Sequence, residues 1–169
     1  MENVVFSDKD YLVNLLYKLL DNPTKIKVQK TLYLLFAFYG ATYGMLQNDV
    51  EGESDFSEQN YPKNLFSAKF EAWKYGPMEV EVYNKEKIFR YSKGKLTDDD
   101  IDNFFNTNEL KNVKGFIQNI VAQTKVIDDF SLVDSTHQDD SWLEAYKPGI
   151  LHMPMDNSSI VSEYAKKYV

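Results

Sequence analysis

A helix that is apolar on every side has one place to go in a globular protein, and residues 24–43 spell out such a helix. Thr24 supplies a side-chain oxygen for an N-cap, and the run TLYLLFAFY (Thr31–Tyr39) leaves almost no polar face. The rest of the chain must therefore pack around this segment. The longest apolar stretch, Leu32–Ala41, is too short and too rich in tyrosine to span a bilayer, so no membrane partner is expected.

The remaining elements must surround that centre. Ser7 and Asp10 resemble a capping box, and Tyr11, Leu12, Leu15, Leu16, Leu19 and Leu20 repeat at helical spacing until Asn22 and Pro23. Thr97 with Asp98, Asp99 and Asp100 starts a helix through Phe104 and Phe105. Leu110, Val113, Ile117, Ile120 and Val121 mark another, and both are expected on the central helix. Ser131, then Asp140 or Ser141, then Asn157 or Ser158 are expected to cap three shorter helices. Phe66, Ala68, Phe70 and Ala72 alternate with Ser67, Lys69, Glu71 and Trp73, which predicts a short strand. After it, Gly76 and Pro77 read as a strand-to-helix corner, with Pro77 at the first helical position.

These elements predict a mainly α fold: a single compact helical domain over residues 1–169, with one small β element at the corner. The acidic stretch QNDVEGESDFSEQNYPK, residues 47–63, is expected to be a loop insertion on the surface. At 169 residues and 43% hydrophobic content the chain can bury a core without metals or disulfides. The absence of cysteine excludes disulfides and thiolate metal sites, and the absence of a basic, apolar leader predicts a cytoplasmic location.

A formal charge of -7 opposes a phosphate backbone, so nucleic-acid binding by this chain alone is not expected. Glycine-rich phosphate loops, an HExxH helix and a GxSxG elbow are all missing. His137 lies among Asp134, Asp139, Asp140 and Ser141, which invites a metal or a triad, but no second nearby histidine completes either. Its plainer role is at a helix end, bonding the last carbonyls. The prediction is a protein without cofactor or metal and without enzymatic activity.

The stretch FEAWKYGPMEVEVY (Phe70–Tyr83) carries the surface signal. Alternation puts Trp73 on the face opposite Phe70 and Ala72, where it must be covered or offered to a partner. Tryptophan and tyrosine are favoured interface anchors, so Trp73 and Tyr75 are the first candidates.

Three blocks resemble the Panacea family, the antitoxin SocA-like domain of bacteria and phages. They are KVQKTLYLLFAFYGATYG (Lys27–Gly44), FEAWKYGPMEVEVY, and STHQDDSWLEAY (Ser135–Tyr146), in which Ser141 replaces a proline. The resemblance covers roughly residues 24–168. It implies a mainly helical antitoxin that neutralises a co-encoded toxin by direct contact, with one variant acting as a proteolysis adaptor. Carried over on the matching positions, Trp73, Tyr75, Gly76, Pro77, Tyr83, His137 and Trp142 become the expected partner-binding residues. Two other readings stay open: a phage or prophage factor that binds a host protein without any toxin, and a hydrolase-like enzyme using His137 and nearby carboxylates.

Overall fold

The computed structural model describes residues 3–46 and 61–169. The core helix is where its composition demands. Helix α2 (Lys25–Tyr39) begins at Thr24, whose hydroxyl accepts from the Lys27 amide at 3.1 Å, and it continues into one π-helical turn, Gly40–Gly44. Val28, Leu32, Tyr33, Leu35, Phe36 and Ala37 are fully buried. Each large apolar side chain removed from water in this way contributes about 1.5–3 kcal/mol.

Helix α1 (Lys9–Leu19) and the long α5 (Asn108–Val126) flank α2, as do α6 (Asp129–Thr136) and α8 (Asn157–Tyr168). Three short helices stand beside them among the described residues: α3 (Val80–Glu86), α4 (Asp98–Phe104) and α7 (Asp140–Ala145). The mainly α expectation holds. Helix α4 packs elsewhere than foreseen, with Phe104 stacked on Phe6 at 4.9 Å and on Tyr11 at 4.8 Å.

The β structure is more extensive than one corner element. Strand β1 (Val4–Phe6) pairs in parallel with β2 (Asn64–Phe66). A second sheet has the order β4-β3-β5, from β3 (Phe70–Trp73), β4 (Gly76–Glu79) and β5 (Met153–Pro154). The expected single strand from Phe66 is thus broken at residues 67–69. Pro77 does not start a helix. It pairs with Ala72 inside β4, and α3 starts three residues later, capped by the Glu79 carboxylate on the amides of Glu81 and Val82. The corner is a hairpin whose two turn residues are Lys74 and Tyr75.

Three helix starts are set earlier than the expected caps Ser131, Asp140 or Ser141, and Asn157 or Ser158. The caps are Asp128, Asp139 and Asp156. Ser131 and Ser159 occupy the third helical position, where amide and hydroxyl both donate back to the capping aspartate. The expected acidic insertion lies outside the described residues except for Tyr61, Pro62 and Lys63.

Candidate functional site

The β3–β4 hairpin is fastened from beneath by polar residues of the core helix. Lys30 is fully buried, and its Nζ donates to the Pro77 carbonyl at 2.8 Å. Burial without a carboxylate beside it pulls the amine down to about 7 from an ordinary 10.5. Gly76 lies directly above with φ +99; a Cβ there would come within 2.6 Å of Thr136 Oγ1 and 3.2 Å of Lys30 Nζ. Glycine is the residue that tolerates both the backbone angle and the crowding.

One residue earlier, Gln29 brackets β4 and α3. Its Oε1 accepts from the Glu79 amide at 2.8 Å, and its Nε2 donates to Glu86 Oε1 at 3.0 Å. Burial pushes the Glu86 carboxyl up, against the pull of Gln29 and of the Tyr17 hydroxyl, which donates at 2.9 Å. Lys9 reaches the buried Glu79 at 2.7 Å and also bonds Glu81. Burial lowers the Lys9 amine, but the bonds to the two carboxylates outweigh it and leave the amine raised.

The segment after α6 fastens the turn from the side. His137 stands at the C-terminal end of α6, as expected, and its backbone amide donates to the Val133 carbonyl at 3.0 Å, but its ring bonds a carbonyl outside that helix. Its Nε2 lies 2.8 Å from the Lys74 carbonyl, which can only accept, so this nitrogen carries the proton. Trp142 donates from Nε1 to the Trp73 carbonyl at 2.9 Å, and its ring stacks between His137 at 4.4 Å and Tyr146 at 4.6 Å. Asp139 sets the position of this segment by accepting from the hydroxyls of Tyr33 and Tyr164, both at 2.7 Å. Burial raises its carboxyl although the two tyrosines lower it.

The seven expected residues therefore gather around one hairpin in two layers. Gly76, Pro77 and Trp142 are buried, His137 half so, and they face the fastening. Trp73 and Tyr83 are half-buried in edge-to-face contact at 4.8 Å, and Tyr75 stands 53% exposed at the turn. Trp73 also donates to Glu71 at 2.8 Å and meets the His152 ring at 5.4 Å.

Beside Trp73 and Tyr75 opens a groove of about 530 Å³. Ala72 and Met78 form its floor, and Tyr146, Ile150, Leu151 and His152 its far wall. That wall is a Pro148–Gly149 turn, with Gly149 at φ +80 and the Ile150 amide donating to the Lys147 carbonyl at 3.0 Å. Ile150 and Leu151 are exposed at its tip. Neither this wall nor Gln29 and Lys30 was recognised in the sequence. The available signals were two large aliphatics after a Pro-Gly turn, and polar residues on a helix otherwise apolar all round, which must find buried partners.

The family model described as antitoxin SocA-like, Panacea domain matches residues 55–143, more than half of the chain. The chain belongs to the Panacea family. The match takes in the hairpin with Trp73 to Tyr83, and His137 and Trp142, whereas α2 and the Tyr146–His152 wall lie outside it. No curated protein and no solved structure matches the chain. Among the described residues, no three His, Asp or Glu side chains converge as a metal site requires, and no helix is long and apolar enough to cross a membrane.

Proposed function

We propose that this Panacea protein is a non-catalytic antitoxin that neutralises a co-encoded toxin by direct contact, with the groove beside the β3–β4 hairpin as its binding surface. The observation that carries this reading is the juxtaposition of Trp73 and Tyr75 with an open apolar groove on a hairpin whose carbonyls are fixed from behind. Half-exposed tryptophan and tyrosine on a rigid support are what an interface hot spot requires.

The test is co-expression with the small reading frame adjoining the gene, coupled to titration of the purified pair. Trp73→Ala is expected to keep the fold, at a loss of about 1–2 kcal/mol for its aromatic contacts. It is expected to weaken toxin binding by more than about 2 kcal/mol. Full neutralisation by Trp73→Ala would refute the surface assignment. An adjoining frame that is harmless on its own would favour a host protein as partner.

A further inference from the structure

The groove has an electrostatic character opposite to that of the chain. The protein carries 26 acidic against 19 basic residues, yet no carboxylate lines the groove among the described residues. Its charged lining consists of Lys74 and Lys147, one on each wall, with His152 beside Trp73. The carboxylate next to it, Glu71, is committed, with one oxygen accepting both from Trp73 Nε1 at 2.8 Å and from His152 Nδ1 at 2.9 Å. Neither lysine has an ion-pair partner among the described residues; Lys74 Nζ lies 5.7 Å over the Tyr75 ring. Lys9, Lys85 and Lys167, by contrast, each pair with a carboxylate.

We propose that the groove receives a short segment of the partner toxin in which a bulky apolar side chain is flanked by Asp or Glu. This rests on the reading of the groove as the toxin-binding surface. The apolar side chain would fill the space between Trp73, Met78 and Tyr146, and its acidic neighbours would reach Lys74 and Lys147 across the rim. Binding energy would come mainly from the buried side chain, while the two lysines would select against a basic flank, because like charges at close range are costly. The net charge of -7 favours a toxin that is basic overall, but that long-range field is screened within about 8–10 Å at ordinary salt, so the rim decides at contact.

The experiment uses the full chain as bait for a displayed library of random short peptides, with Trp73→Ala as counter-bait. Enriched sequences are then made as fluorescent peptides and titrated by polarisation. Enrichment of an aromatic or aliphatic residue beside Asp or Glu is expected, with binding weakened about thirtyfold or more by Trp73→Ala. Lys74→Glu with Lys147→Glu is expected to weaken binding at least about tenfold at low salt, less at high salt. Both lysines are surface residues, so the double variant should melt as the parent does. Peptides without acidic flanks, indifference to the charge reversal, or no enrichment over the counter-bait would each overturn the inference. Neutralisation assays in parallel separate the two readings. Loss in Trp73→Ala with none in the lysine variant would leave the groove reading standing and remove this one. Unchanged neutralisation in Trp73→Ala would remove both.

Discussion

Gly76→Ala isolates the architectural half of the hairpin from its surface half. At φ +99 a side chain strains the backbone by about 1–3 kcal/mol. The added Cβ also meets Thr136 Oγ1 at 2.6 Å and Lys30 Nζ at 3.2 Å. Neither neighbour yields freely, because Thr136 donates to the Val133 carbonyl at 2.9 Å and Lys30 to the Pro77 carbonyl. Overpacking of this kind adds about 1–3 kcal/mol. The sum is about 2–6 kcal/mol, and for a chain of this size each kcal/mol lowers the melting temperature by about 2–4 °C. A drop on the order of 10 °C is expected, measured by thermal melting and urea denaturation. Thr136→Ala in the same background should recover part of it, since it removes the closest atom but leaves the backbone strain. Gly115→Ala is the control: nothing lies within 4 Å of its Cβ position, and alanine inside a helix should add up to about 1 kcal/mol. Gly76→Ala within about 1 kcal/mol of the parent, or no recovery from Thr136→Ala, would show that the hairpin is not locked in the way described.

Three further outcomes follow from the polar groups that hold the hairpin and the segment beside it. Lys30, with its folded value near 7 against 10.5, binds a proton in the unfolded chain that it lacks when folded, so stability should rise from about pH 7 to about pH 10. Lys30→Met should flatten that rise in urea titrations at several pH values, and an unchanged slope would contradict a neutral buried amine. Tyr33→Phe or Tyr164→Phe should cost about 1–3 kcal/mol near pH 7 by removing a donor from buried Asp139. Asp139 is raised in the fold, so its favourable contribution is present at acid pH and lost as pH rises through the folded value; the deficit of either variant should therefore shrink as pH falls into the range where Asp139 takes up its proton. His137→Ala should lower stability by about 1 kcal/mol through the freed Lys74 carbonyl, yet leave neutralisation largely intact; complete loss in a folded protein would revive a catalytic role.

Much of the helical architecture was legible because it follows from local rules. TLYLLFAFY could only be central, and Thr24 and the Thr97–Asp100 capping box announce their helices without ambiguity. The cap at Ser131 was misplaced because Asp128 takes it and Ser131 answers from the third helical position, while Asp139 and Asp156 each stand one residue before the nearest expected cap. Pro77 was misread because a proline after glycine suits a helix start as well as a strand, and only the pairing of Trp73 with Gly76 decides between them. The gathering of Trp73, Tyr75, His137 and Trp142 was anticipated from the family blocks. Which of them face outward depends on long-range bonds that local spacing does not encode, such as His137 to the Lys74 carbonyl across 63 residues.

Those long-range bonds give the buried polar residues a reason to exist. An isolated two-stranded hairpin is marginal in water, and one that carried the proposed contact side chains would have to be ordered each time a partner bound. Here the carbonyls of Trp73, Lys74 and Pro77 are held by Trp142, His137 and Lys30, and the Glu79 amide by Gln29. Replacing Gln29 and Lys30 by leucines would suit the helix core but would leave two groups of β4 without partners, at about 1–3 kcal/mol each. The polar interruption of an otherwise apolar helix is thus the counterpart of a fixed turn. With the turn fixed, Trp73 and Tyr75 can meet a partner without first paying for their own order.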